Sequence, residues 1–109
     1  VMKWAKDAKE GTVVAGGHGG GGGLNQLAYP YGLIVNEVGD VFVADSGNNR
    51  IMCWSPGSDE GRVVVGGNGN GQRSNQFHLL RELSFDFENN LYVVDYENHR
   101  IQQFEVDKN

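Results

Sequence analysis

A chain of 109 residues has room for one small domain or a short repeat array, and 21% charged with 39% hydrophobic residues is the composition of a globular fold, not of a disordered segment. Nine Lys and Arg against fourteen Asp and Glu leave a net charge of −5, so the basic surplus that neutralises phosphates in nucleic-acid binders is missing. A single cysteine excludes an internal disulfide framework and any multi-cysteine zinc site, no apolar run approaches the roughly 20 residues of a membrane span, and the amino-terminal stretch lacks the hydrophobic core of a signal peptide. The compartment stays open.

In chain order, the first short runs are Met2 to Ala5 and Thr12 to Ala15, followed by a glycine-rich stretch from Gly16 to Gly23. Four apolar runs come next: Leu33-Ile34-Val35, Val41-Phe42-Val43-Ala44, Ile51-Met52-Cys53-Trp54 and Arg62-Val63-Val64-Val65. Runs of β-branched and aromatic residues bounded by Gly, Asn, Asp and Pro predict strands, and no window keeps a helical period. Cys53 lies inside such a run and reads as a buried thiol. A further glycine-rich stretch follows Gly66, and the chain then repeats the first, second and third strands, with Leu91-Tyr92-Val93-Val94 and Ile101 to Glu105 as the second and third.

Residues 1–50 align with 51–100 without a gap, and 17 of the 50 pairs are identical, where ordinary composition gives about three. The identities are anchors: Trp4 with Trp54, Gly11 with Gly61, Gly16-Gly17 with Gly66-Gly67, Asn25-Gln26 with Asn75-Gln76, and Asp45, Asn48 and Arg50 with Asp95, Asn98 and Arg100. Four antiparallel strands in about 50 residues is the signature of a propeller blade. The runs Val41 to Ala44 and Leu91 to Val94 are apolar at every position, so each predicts a strand covered on both faces.

The segments Pro30-Tyr31-Gly32-Leu33-Ile34-Val35-Asn36, Gly39 to Ile51 and Leu91 to Ile101, with Asp-x-x-Asn-x-Arg-Ile twice in register, resemble the NHL repeat. The resemblance implies an all-β fold of β-propeller blades, two four-stranded antiparallel blades' worth per chain. Residues 1–26 are read as the third and fourth strands of a permuted blade plus a connector, 27–76 as a complete blade, and 77–109 as the first to third strands of the last. Leu80-Arg81-Glu82 replaces Pro30-Tyr31-Gly32, which predicts a differently shaped turn into that blade. Propellers of this family usually have about six blades, so two repeats leave apolar faces uncovered. The expected partner is other copies of the chain, with a homotrimer completing the ring head to tail. The third strand is encoded twice, so one copy gives way in a closed ring.

Each candidate site has a plain structural alternative. Asp45, Asn48, Arg50, Asp95, Asn98 and Arg100 read as a structural motif, because Asp and Asn fold back on turn backbone and Arg pairs with carboxylates or carbonyls. The Gly-x-Gly-x-x-Gly within Gly16 to Gly23 leads to Pro30 and a strand instead of opening a helix, so it reads as a flexible connector and not a phosphate loop. An EF-hand is excluded at Asp45, where Gly47 and Pro56 stand at ligand positions. No local zinc pair joins His18, His78 and His99, no Gly-x-Ser-x-Gly elbow is present, and neither a cofactor nor enzymatic activity is expected. The face carrying the connectors is the expected ligand-binding surface, with His18, Tyr29, Tyr31, Ser46, Asn49, Asn68, Arg73, His78, Arg81, Tyr96 and His99 on it.

The leading expectation is thus a non-enzymatic binding or scaffold module that self-assembles and presents loops to a protein or small ligand. Two alternatives come with the resemblance. Some NHL proteins bind RNA on a basic face, which the charge disfavours here, and some similar propeller lyases hold a channel metal, which His78 would line.

Overall fold

A computed structural model describes residues 1–67, 76–77 and 80–105. Among the described residues there are nine strands: β1 (Met2–Lys3), β2 (Thr12–Val13), β3 (Pro30–Val35), β4 (Val41–Asp45), β5 (Arg50–Trp54), β6 (Arg62–Gly66), β7 (Leu80–Phe85), β8 (Asn90–Asp95) and β9 (Arg100–Glu105). Short 3-10 turns at Ser46–Asn48 and Tyr96–Asn98 link β4 to β5 and β8 to β9. All pairing between strands is antiparallel, in three sheets ordered β1-β2, β3-β4-β5-β6 and β7-β8-β9. Among the described residues only the middle sheet has four strands, and the strands of the other module are divided between the two ends.

The three sheets stack face on face, and the two-residue period of a strand decides which core each side chain enters. Phe42, Ala44, Ile51 and Cys53 turn toward the last sheet and meet Phe77, Leu80, Leu83, Leu91 and Val93. Phe42 packs edge to face on Phe85, ring centroids 5.1 Å apart. Val41, Val43, Met52 and Trp54 turn the other way, onto Ala15, Leu27, Val1 and Val14. Every residue of β4 and β5 is consequently buried. Cys53 is among them, and burial pushes its thiol above the ordinary range.

β8 departs from the expectation of cover on both faces. Leu91, Val93 and Asp95 are buried while Asn90, Tyr92 and Val94 are half-buried, because among the described residues sheet β7-β8-β9 has a neighbouring sheet on one side only. The outer runs are also shorter than their apolar content suggested, with β1 and β2 reduced to two residues each.

The connector just before Leu80, where a differently shaped turn is expected, lies outside the described residues, and the strands that follow pair alike. Pro30 pairs with Asp45 and Leu80 with Asp95, and both ladders then slip to the same register, Leu33 with Val43 and Leu83 with Val93. The bulge is a backbone property shared by both repeats, since neither Pro30 nor Leu80 is required to make it.

The β3-β4 and β7-β8 hairpins are built alike, one on Asn36 and the other on Asp86. The Asn36 Oδ1 accepts N–H bonds from Val38 (3.2 Å) and Asp40 (2.9 Å). Asp86 Oδ1 accepts from Glu88 and Asn90 at 2.9 Å each, while its Oδ2 takes the Asn90 amide and the Tyr92 hydroxyl, both at 3.1 Å. The backbone N–H of Asn90 is the main reason the Asp86 carboxyl sits below the usual carboxylate range, and donating its proton to Asp86 pushes the Tyr92 phenol up.

The pH dependence follows from these two signs. A depressed carboxyl stabilises the fold above its unfolded value of about 3.9, and the contribution is lost as pH falls through the folded value. The raised phenol stabilises below about 10 and loses its contribution as pH rises through its folded value. Asp86→Asn, which copies Asn36, is expected to flatten the acid limb of a plot of Tm against pH, and Tyr92→Phe the alkaline limb. Curves superimposable on wild type would contradict the assignment.

Candidate functional site

The paired motif residues form a buried bracket in each repeat. Asp45 is fully buried, and its Oδ1 accepts the Ala28 N–H at 2.7 Å. Its Oδ2 accepts from Asn48 Nδ2 at 2.8 Å and Arg50 Nε at 2.7 Å. Arg50 reaches on to the carbonyls of Gly22 (3.1 Å), Gly23 (2.9 Å) and Gln26 (3.2 Å), and Asn48 to that of Gly21 (2.9 Å). In the other copy Asn98 and Arg100 hold Asp95 at 2.9 and 2.8 Å, and Arg100 donates to the Gln76 carbonyl at 2.9 Å.

Both carboxylates thereby spend their lone pairs inside the protein, and the arginines strap the incoming connector onto the β4-β5 and β8-β9 turns. The glycine-rich run is therefore tied down at Gly21 to Gly23, in contrast to the free connector its composition predicts. Among the described residues, no group of three or more His, Cys, Asp or Glu is arranged to hold a metal ion. No helix there is long and apolar enough to cross a membrane.

Of the expected ligand-binding residues, Asn68, Arg73 and His78 lie outside the described residues. Asn49 and His99 follow the 3-10 turns in left-handed backbone, φ +51° and +53°, and close them through their own N–H groups. His18 is exposed, and its carbonyl accepts from Gln26 Nε2 at 3.1 Å. Ser46 donates its hydroxyl to the Leu80 carbonyl, tying the β4-β5 turn to β7.

Three members of the set come together. Tyr31 on β3 and Tyr96 after β8 flank Arg81 on β7, whose guanidinium carbon lies 5.1 Å and 4.0 Å from their respective ring centroids. Both rings remain about half exposed, and Tyr29, two residues before Tyr31 in the chain, is the most open of the tyrosines at 86%. Gly32 allows the close passage of β3 and β7, since a Cβ there would overlap the Arg81 carbonyl oxygen.

The residues missed from sequence lie on the opposite flank of the middle sheet. A cleft of about 930 Å³ separates the β1-β2 pair from β3, lined by Leu33, Val35, Val38, Val41, Trp54 and Pro56 among others. Leu33, Val35 and Val38 are 46%, 54% and 73% exposed there. Their role is legible from the repeat: Leu83 and Phe85, 50 residues on from Leu33 and Val35, close the core between the middle and last sheets. The cleft is a sheet-packing face whose inner half has no cover.

The family model for the NHL repeat matches residues 84–104, the stretch that carries β8, the Tyr96–Asn98 turn and nearly all of β9. The search of curated proteins gives no match to the chain.

Proposed function

We propose, for a chain that carries an NHL repeat and is all-β in architecture, a role as a non-enzymatic β-propeller interaction module that completes its ring with other copies of itself and turns its connector face toward a protein or small-ligand partner. The uncovered apolar face of β3 is the observation that carries this reading. Each Val or Leu side chain left open forgoes up to about 1.5–3 kcal/mol of burial, so a face of this kind favours an occupant.

The chain already contains the shape of that occupant. Within it, Phe42, Ala44 and Ile51 on one sheet cover Leu83, Leu91 and Val93 on the next. Their repeat equivalents on the last sheet are Tyr92, Val94 and Ile101, with Ile101 69% exposed. Seated in the cleft of another copy, these would cover Leu33 and Val35 in the same way. Charge supports the pairing: Lys3, Lys6 and Lys9 leave residues 1–11 at +1 against Asp7 and Glu10, whereas residues 80–105 carry −4.

In such a ring β1 and β9 claim one place. β1 pairs through two residues and β9 through six, so β1 is the strand that yields, and the incoming β9 takes over β2. Three copies then make six blades, a closed heterologous ring. Light scattering on the eluting protein tests this: a particle of three 11.9 kDa chains is expected, reduced to one chain by Leu33→Arg with β-sheet circular dichroism retained. A wild-type monomer at every concentration would overturn it.

A further inference from the structure

We infer that Arg81, clasped between Tyr31 and Tyr96, is a binding site for a carboxylate presented by an acidic peptide segment of a partner protein. The inference deepens the interaction-module reading and rests on it.

Of the four arginines on the middle and last sheets, Arg62 stands exposed on β6, and the other three divide by what their donors do. Arg50 and Arg100 spend theirs on Asp45 and Asp95 and on connector carbonyls. Arg81 has no hydrogen bond or ion pair from its side chain to any described residue, and its planar group is instead held by ring faces at 4.0 and 5.1 Å. Rings can cover only the flat sides of a guanidinium, which leaves its N–H edge free for a planar two-oxygen acceptor.

The clasp is also set before any ligand arrives. Tyr31 and Arg81 come from strands of different sheets, brought side by side across Gly32, and Tyr96 follows β8 directly. A side chain already confined loses less freedom on binding, and half-exposed tyrosines around an arginine are the composition of protein-binding hot spots.

The surrounding charge decides between anions. Arg81 is the one cation of the clasp, with Glu82 and Glu97 following Arg81 and Tyr96 in the chain, whereas a polyphosphate strand gains its affinity from several phosphates neutralised together. A carboxylate needs one fork and two ring faces, and that is what is present.

The test titrates isotope-labelled protein with hexaglutamate, hexaglutamine and a six-nucleotide thymidylate, following the Arg81 Nε–H and the ring signals of Tyr31 and Tyr96 by NMR. Saturable shifts with hexaglutamate alone are expected. Arg81→Gln should weaken them about tenfold or more, as should Tyr96→Ala, with Arg81→Lys retaining only part of the binding because it lacks the fork. Melting curves on each variant establish that the fold persists. Unmoved Arg81 signals under hexaglutamate, or equal shifts with the oligonucleotide, overturn the site. Native mass on the same samples keeps the two ideas apart: a trimer that ignores hexaglutamate sinks the carboxylate site alone, and a monomer that binds it through Arg81 sinks the ring alone.

Discussion

Asp45→Ala is expected to remove about 3–5 kcal/mol of stability, because it strands a buried cation. Arg50 keeps its carbonyl partners after the change, but its side chain is only 8% exposed and no solvent replaces the missing carboxylate. The Ala28 N–H and the Asn48 amide lose an acceptor at the same stroke, which weakens the hold of the β4-β5 turn on the connector. Asp95→Ala tests the cause by contrast. The Arg100 side chain is 29% exposed against 8% for Arg50, so water can take over part of the lost interaction and the cost should be clearly smaller. Urea melts followed by circular dichroism read both. Pairing Asp45→Leu with Arg50→Met should recover a good part of the loss, since removing both charges leaves none buried alone. Equal costs at Asp45 and Asp95, or a loss under about 1 kcal/mol at Asp45, would contradict the bracket as the chief tie of the fold.

Much of this architecture is visible in the chain before any coordinates. The alternation and β-branched content of β3 to β9 mark strands, and the 50-residue offset gives β3, β4 and β5 their twins β7, β8 and β9. The Asp-x-x-Asn-x-Arg spacing is legible because a carboxylate, an amide and a guanidinium within six residues can meet across one tight turn. Burial of β8 on one face only is not legible, since an apolar residue signals a preference for cover and says nothing of whether a neighbour exists on that side. The Arg81 clasp escapes for a related reason. Tyr31, Arg81 and Tyr96 could each be placed on the connector face, but their contact depends on how closely β3 and β7 run, which a glycine at position 32 permits without announcing.

Phe77 is the other feature that the pattern conceals, and its removal carries the second large effect. It stands in a connector, outside any strand-like run, yet it is completely buried. Its ring lies edge to face on Phe104 at 5.7 Å and joins Leu80, Leu91 and Ile51 in the core between the middle and last sheets. Phe77→Ala should cost about 3–5 kcal/mol, the range for emptying an aromatic from a packed interior. Phe77→Leu should restore a large share of that, because Leu27 fills the equivalent place in the first repeat at 8% exposure. The ring also explains Gly66, whose φ of +88° already disfavours a side chain and whose added Cβ would lie 2.9 Å from Phe77 Cε2 and 2.6 Å from the Asn49 carbonyl. Gly66→Ala and Phe77→Ala share this contact, so combined they should cost less than their sum, by about 0.5–3 kcal/mol. The relief stays partial, because the clash with Asn49 and the left-handed backbone survive in the double variant. Strict additivity in a urea double-mutant cycle would mean that the ring does not press on Gly66, and that the connector is held to the core by the Arg100 strap alone.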